Sequence, residues 1–361
     1  MDLSRRAYLI ILCFVAGLFT AILSTRPYYN WDMFPYIAIT LGAGDQHQQT
    51  YEEAASHMPV SDFEALAARQ PIFYVDARAF QSILPYYQTK PGYTAITRLL
   101  YTAGVNATMA TYVPSLFSYF VLLLIVGSWL MYLLPTRHAL MVTLGIAILP
   151  FLSMTARYSS PDMLCAAYSV AGLYFLSVYR SSWGLVFFTL AIATRPDVVM
   201  LILPLVYCVQ QEGIITKRLS WIFSLAAVTT TVWALGSIEL IPEYMFTLKP
   251  WSHEFTMQEF ITSYFYNVQH GLPSVINSSM PIFVLLLIIA WIYQGRVNPT
   301  PFWANCIVAA LFSIAMRYIL HPIMEDRFAI SAYLIILIGA LHIFFAKASS
   351  GPTENINLSN T

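Results

Sequence analysis

The sequence carries a series of short charged motifs, each set between long apolar runs. The first is Asn30-Trp31-Asp32, which precedes an apolar and aromatic stretch that begins at Met33. A carboxylate in this position can take a proton from a hydroxyl group as a general base, and partial burial would raise its pKa toward a useful range. An aspartate that caps a helix at 33–41 is the alternative. Asp32 is therefore a candidate catalytic base.

Two later motifs combine a cation with a proline at a predicted turn. Lys90, in Gln88-Thr89-Lys90-Pro91-Gly92-Tyr93, would lie at the positive N-terminus of a helix, which favours phosphate. A solvated lysine before a turn is the alternative. The motif Thr194-Arg195-Pro196-Asp197 joins two short apolar runs, where ions are costly unless they pair or serve a function. Arg195 and Asp197 are thus either ligand-binding residues or a structural ion pair.

Further charged residues complete the set of candidates. Asp162 follows a turn that begins at Arg157, and it could equally cap the next helix. Arg327 precedes the last apolar run, and a guanidinium group binds phosphate through its planar fork. We expect the supporting residues of a site to be Arg157, Asp162, Asp197, His253, His321 and Asp326. A metal held by His253 and His321 is one hypothesis, and simple capping or solvation is the other.

The composition is typical of a chain that is embedded in a lipid membrane. Of the 361 residues, 58% are hydrophobic and only 10% are charged, and the mean hydropathy is +0.64. A soluble domain carries roughly a quarter charged residues, so these few cannot cover a water-facing surface. A pI near 7.0 gives no reason to expect nucleic-acid binding. The four cysteines all fall in apolar runs without metal-ligand spacing, which predicts buried small hydrophobic residues.

Apolar runs long enough to cross about 30 Å of hydrocarbon recur along the chain. They predict an all-α polytopic membrane protein with about ten transmembrane helices. The predicted spans are 7–25, 112–134, 139–155, 162–179, 183–195, 197–210, 220–240, 280–294, 302–320 and 328–346. The fifth and sixth are short and could instead form a re-entrant hairpin, whose polar turn would lie in a water-lined cavity.

The distribution of charge predicts the orientation. Loops on the N-terminal side hold eight basic and three acidic residues, and the opposite side holds ten basic and fifteen acidic residues. The positive-inside rule then predicts a multi-pass protein of the plasma or inner membrane with both termini cytoplasmic. The long loops 26–110 and 241–279 are extracytoplasmic in this topology. We expect residues 1–348 to form the membrane domain and 349–361 a disordered cytoplasmic tail.

The first long loop is predicted to form a small cap of interfacial helices. The stretch from Met33 to Leu41 is suited to lie in the membrane interface. Ser61-Asp62-Phe63-Glu64 has the spacing of a capping box, and Pro71 would end the helix that it starts. A third helix is expected from Tyr93 to Ala103, ending at Gly104.

In this order, the motifs resemble those of the GT-C superfamily of membrane glycosyltransferases, nearest to protein O-mannosyltransferases and aminoarabinose transferases. Those families place an aspartate in the first outer loop, here Asp32, and end that loop in a Lys-Pro-Pro-aromatic segment, here Lys90-Pro91-Gly92-Tyr93. Their later basic turns resemble Arg157 to Asp162, Thr194-Arg195-Pro196 and Asp326-Arg327-Phe328. Two positions depart from the pattern: Met33 replaces a second acidic residue, and Gly92 replaces the second proline.

The resemblance implies transfer of a hexose or pentose from a polyprenyl-phosphate carrier to a glycan, lipid or protein acceptor on the extracytoplasmic side. Asp32 would deprotonate the acceptor, and Lys90, Arg195 and Arg327 would bind the donor phosphate. No cofactor is required by this chemistry, and a divalent metal is left open. The alternatives are a polysaccharide polymerase or flippase-like protein and a transporter, which would carry its charges deep within the spans.

Overall fold

The computed structural model describes residues 4–42, 47–236, 257–294, 301–322 and 325–345, and every element within them is helical. Tyr28 and Tyr158 form an isolated parallel bridge between two loops. The first seven helices are α1 Arg5–Ser24, α2 Met33–Leu41, α3 His47–His57, α4 Val60–Arg69, α5 Pro71–Val75, α6 Ala77–Gln88 and α7 Pro91–Thr102. The prediction of an all-α chain is confirmed over these residues.

The remaining described helices follow the apolar runs of the second part of the chain. They are α8 Ala107–Leu130, α9 Thr136–Ala147, α10 Pro150–Thr155, α11 Asp162–Ser177, α12 Trp183–Thr194, α13 Val199–Gln211, α14 Lys217–Gly236, α15 Met257–Asn277, α16 Met280–Gln294, α17 Pro301–Leu320 and α18 Asp326–Phe345. A short 3-10 turn, Pro196–Val198, lies between α12 and α13.

Five of the described helices, α1, α8, α14, α17 and α18, are long and apolar enough to cross a membrane. A sixth span results if α15 and α16, which meet at 64°, are taken together. The third predicted span is divided into α9 and α10, and α12 has only 12 residues. Twelve residues extend about 18 Å, which is less than the hydrocarbon thickness. Ten crossings therefore remain a prediction.

Helix α1 is apolar on both of its faces. Tyr8, Leu12 and Ala16 are fully buried on the face that packs against α8. On the opposite face Ile10 and Phe14 are about 70% exposed. A soluble helix would carry polar residues on that second face, so α1 is suited to contact lipid there.

The segment between α1 and α8 folds on a core of its own. Phe34, Phe80 and Tyr93, from three different helices of this segment, are almost completely buried in it. The helix Met33–Leu41 is confirmed with its predicted bounds. The capping box is wrong: Pro59 is the N-cap of α4, so Ser61 lies inside the helix and caps nothing.

Close helix pairing brings the motif-bearing ends together. Helix α11 packs against α12 through Gly172 and Gly184, where a Cβ on Gly184 would lie 2.5 Å from the carbonyl oxygen of Gly172. Small residues of this kind let helices approach in membranes, where packing replaces the hydrophobic effect. Helix α18 packs against α11, α16 and α17. The start of α11, the end of α12, the end of α17 and the start of α18 therefore meet.

Part of the predicted second loop is helical, because α15 begins at Met257. His253 and the predicted tail 349–361 lie outside the described residues.

Candidate functional site

A cavity of about 460 Å³ lies where these helix ends meet. Four cationic side chains line it, namely Lys90, Arg195, Arg317 and Arg327. Other parts of its lining are apolar and come from the adjoining helices, including Met200, Leu201, Leu235, Ile314, Leu320 and Ala332. The cavity thus combines a strongly cationic part with an apolar part, which matches an amphiphile with an anionic head group.

Arg195 is the centre of one ion-pair network. Its guanidinium contacts Asp162 and holds Asp197 through two bonds, Nε to Oδ1 at 3.0 Å and Nη2 to Oδ2 at 2.6 Å. Arg317 donates from Nη1 to the same Asp197 carboxylate at 3.0 Å. The Asp162 side chain is only 2% exposed, and its charge is compensated by Arg195 and, at 3.9 Å, by Nη1 of Arg327. The sequence left two alternatives for Arg195, ligand binding and structural pairing. These two roles are compatible with each other.

Arg327 is the centre of a second network, around Asp32. The Nη1 of Arg327 donates to Oδ2 of Asp32 at 2.6 Å, and its Nε donates to Glu325 at 2.5 Å. Tyr87 and Asn30 donate to the Asp32 carboxylate at 2.9 and 3.1 Å. Asp32 does not line the cavity, but Arg327 does, and a quarter of the Asp32 side chain is exposed. Arg327 therefore contacts both the carboxylate and the cavity.

The prediction that the pKa of Asp32 is raised is wrong, because the pKa is lowered. Burial raises the pKa, but the guanidinium of Arg327, the charge of Lys90 and the hydrogen bond from Tyr87 together hold it below its usual value. Asp32 is the N-cap residue of α2, yet its side chain makes no capping hydrogen bond. The carboxylate is therefore ionised at neutral pH and is occupied by a cation and a tyrosine instead of a helix end.

Lys90 is a buried cation, 9% exposed, rather than a solvated surface lysine. Its ammonium group lies 4.2, 4.7 and 5.6 Å from the ring centres of Tyr86, Tyr87 and Tyr36. Within the described part of the chain, no carboxylate forms an ion pair with it. Burial, followed by the charge of Arg195, lowers the pKa of Lys90 to about 8. Because burial disfavours the charged form of this ammonium group, a bound anion would stabilise it strongly.

Phe328 is a site residue that sequence reasoning did not select. The guanidinium carbons of Arg317, Arg327 and Arg195 lie 4.1, 4.6 and 4.9 Å from its ring centre. The face of an aromatic ring attracts cations, so the ring can hold three like charges near one another. Arg317 was also left outside the predicted site, although a charge within an apolar span was a signal for it.

Two predicted supporting residues lie elsewhere. Asp326 accepts hydrogen bonds from the backbone N–H and Oγ of Ser279, at 2.9 and 2.6 Å, and so joins α18 to the start of α16. Arg157 donates from Nε to the carbonyl oxygen of Arg26 at 2.5 Å and lines a different cavity. Each belongs to a sequence motif that also contains a residue of the candidate site, Arg327 or Asp162, but its own side chain has other partners.

The hypothesis of a metal held by His253 and His321 stays a prediction. His321 lines the main cavity, where burial and then Arg317 lower its pKa to about 4, and His253 lies outside the described residues. Among the described residues, no three His, Cys, Asp or Glu side chains come together as metal ligands.

Gly92 allows α7 to begin against the end of α12. A Cβ at this position would lie 3.0 Å from the carbonyl carbon of Ala193 and 3.1 Å from the amide nitrogen of Thr194. Both contacts are with backbone, which cannot turn away as a side chain can. Gly92 thus permits the close approach of α7, which follows Lys90, to the end of α12, which precedes Arg195.

We expect Gly92→Ala to lower the melting temperature by several degrees, because α7 must move by a few tenths of an ångström. Gly145→Ala is the matched control, since a Cβ there meets nothing within 4 Å and alanine favours the helix. Thermal unfolding of the purified protein measures both changes. An equal response of the two variants would contradict the close approach.

The arrangement as a whole is an anion site beside an ionised carboxylate. Four cationic side chains line a cavity that also has aromatic and apolar lining residues. One of them, Lys90, has no carboxylate partner among the described residues. Such preorganised charges stabilise an anion or a charge that develops during a reaction. In comparisons with known proteins, the chain matches no protein-family model, no curated protein and no solved structure.

Proposed function

We propose that this protein is an integral membrane glycosyltransferase that moves a sugar from a polyprenyl-phosphate donor to an acceptor on the extracytoplasmic side. The observation that carries the proposal is the cavity of about 460 Å³. Four cationic side chains line one part of it, and apolar side chains line another. A polyprenyl phosphate has the same two parts, an anionic head and a hydrocarbon chain. The order of the motifs, similar to that of GT-C glycosyltransferases, supports the same class of reaction.

In this proposal the donor phosphate lies among Lys90, Arg195 and Arg327. The acceptor hydroxyl loses its proton to Asp32 and attacks the anomeric carbon of the sugar. The bond between that carbon and the phosphate oxygen breaks, and its electron pair leaves with polyprenyl phosphate. The cations stabilise the charge that grows on the leaving oxygen.

Arg327 links the two halves of this reaction. It contacts Asp32 at 2.6 Å and also lines the cavity, so a bound phosphate would share its charge. When Arg327 also contacts a phosphate, it lowers the pKa of Asp32 by a smaller amount than in the empty site. The carboxylate then becomes a stronger base. Donor binding would thus activate Asp32 as a base. In the empty site Asp32 would be a weaker base toward water.

The test uses the full-length purified protein and undecaprenyl-phosphate hexoses and pentoses as donors. With glycan, lipid or protein acceptors present, release of undecaprenyl phosphate is expected with at least one of these donors. Absence of release with every donor, together with no binding of undecaprenyl phosphate, would contradict the proposal.

The affinity for undecaprenyl phosphate is expected to fall as the pH rises through about 8. The ammonium form of Lys90 is present below its pKa of about 8 and is lost above it. Loss of a charged hydrogen bond weakens binding about tenfold. Binding measured between pH 7.5 and 9.5 should show this fall in the wild type and not in Lys90→Gln, and the same slope in both proteins would exclude Lys90 as the cause.

Transport of an amphipathic anion is the second candidate function. The break between α12 and α13, with Arg195 and Asp197 at the interruption, favours it because transporters bind substrates at broken helices. Proteoliposomes separate the two functions. A transporter would move the intact lipid-linked sugar across the bilayer, whereas a transferase would cleave it.

A further inference from the structure

Arg157 and Arg26 line a second cavity at the end of α1. This cavity of about 560 Å³ is formed by Ala21, Ile22, Leu23, Thr25, Arg26 and Arg157. It shares no lining residue with the cavity at Lys90. Arg157 was one of the motif residues of the sequence, and the proposed sugar transfer leaves it without a role.

Arg157 is held firmly in this position. Its Nε donates to the carbonyl oxygen of Arg26 at 2.5 Å, and its own carbonyl oxygen accepts from the N–H of Tyr28 at 3.0 Å. The neighbouring Tyr158 packs edge-on against the Tyr28 ring, with 4.9 Å between ring centres. The guanidinium is therefore anchored through its Nε beside the cavity that it lines.

The charges of this cavity are not compensated. Over the described ranges, no carboxylate forms an ion pair with Arg26 or Arg157. Two guanidinium groups at one opening attract an anion, and a planar fork suits the oxygens of a phosphate.

The rest of the cavity is apolar and continues the lipid-facing side of α1. Ile22 is 54% exposed, and Leu18 and Phe14 lie one and two turns further along the same face. Arg26 follows two residues after the end of this candidate span. Arginines at the end of a span lie at the level of the lipid head groups.

We propose that Arg26 and Arg157 bind the phosphate of an anionic phospholipid whose acyl chain lies along the exposed face of α1. The charge complementarity, the apolar groove and the place at the end of a span all match this occupant. The site is independent of the proposed sugar transfer, since neither Asp32 nor the four cations of the main cavity take part. Its occupant would hold the loop that carries Tyr28 against Tyr158, next to Arg327, whose guanidinium carbon lies 5.6 Å from the Tyr158 ring centre.

The experiment measures binding of short-chain phosphatidylglycerol to the detergent-solubilised full-length protein by native mass spectrometry. Arg26→Gln and Arg157→Gln are each expected to weaken binding about tenfold, because each removes a charge-assisted hydrogen bond. Arg157→Lys keeps the charge but loses the planar fork, so its affinity should lie between those of Arg157→Gln and the wild type. Arg69→Gln and Arg78→Gln are the matched controls, since both are exposed arginines of the same loop outside the cavity.

Each outcome decides the proposal. Arg26→Gln leaves the bond from Arg157 Nε to the backbone intact, so a loss of binding in this variant does not depend on a disturbed fold. Equal binding by all variants would overturn the proposal, as would an equal loss in the controls. If inorganic phosphate displaced phosphatidylglycerol at the same concentration, the apolar groove would contribute nothing and the lipid assignment would be wrong.

Discussion

Asp32→Asn is expected to lower the rate of sugar transfer by about 10² to 10⁴. The amide cannot accept the proton of the acceptor hydroxyl, although its shape is almost unchanged. Binding of undecaprenyl phosphate should become tighter, not weaker, because Arg327 loses the carboxylate that it contacts at 2.6 Å and offers its charge to the phosphate. Initial rates at saturating donor, together with equilibrium binding, measure the two effects.

The opposite changes in rate and binding distinguish a base from a structural residue. A merely structural aspartate would weaken both when removed, since the site around Arg327 would be disturbed. Asp62→Asn is the control, because Asp62 is an exposed aspartate of the same loop in the first turn of α4. Transfer by Asp32→Asn within about threefold of the wild type would exclude the base assignment while leaving the donor site intact.

Arg195→Met is expected to destabilise the protein by about 3–5 kcal/mol and to lower its melting temperature by about 5 °C. The variant leaves the Asp162 carboxylate, 2% exposed, with only the more distant guanidinium of Arg327 at 3.9 Å. Asp197 keeps its bond from Arg317 at 3.0 Å, so Asp162 is the residue that determines the cost. Thermal unfolding in detergent, monitored by intrinsic fluorescence, provides the measurement.

A double variant isolates the cause of this loss. Arg195→Met combined with Asp162→Asn removes the buried charge that the single variant leaves with only Arg327 nearby, and should recover most of the lost stability. Arg137→Met, on the exposed first turn of α9, is the control for the loss of an arginine as such. If the double variant were no more stable than Arg195→Met alone, the burial of Asp162 could not be the reason.

Several features were predictable because they depend on neighbours along the chain. The helix Met33–Leu41 is an apolar run between a polar residue and Gly42, and these local signals gave both of its ends. The composition likewise required helices in lipid, because few charges cannot cover a water-facing surface. The apolar runs also located the helices, although they did not reveal the division of the third predicted span at Leu149.

The contacts of the site were predictable only in part. That Lys90, Arg195 and Arg327 would lie on one side followed from counting spans and charges. That Arg327 would contact Asp32, 295 residues away, did not, and with it the direction of the Asp32 pKa was missed. Asp326 and Arg157 show the converse, since each adjoins a site residue in sequence while its side chain points to another partner.

A chain of apolar helices with scarce ions at the predicted helix ends and turns follows from the order of the residues alone. The folded chain was needed to show which ions form pairs, that three guanidinium groups lie near Phe328, and that Lys90 has no carboxylate partner among the described residues. Electrostatic energy depends on the distance between charges and on their burial. Neither quantity can be read from separation along the chain.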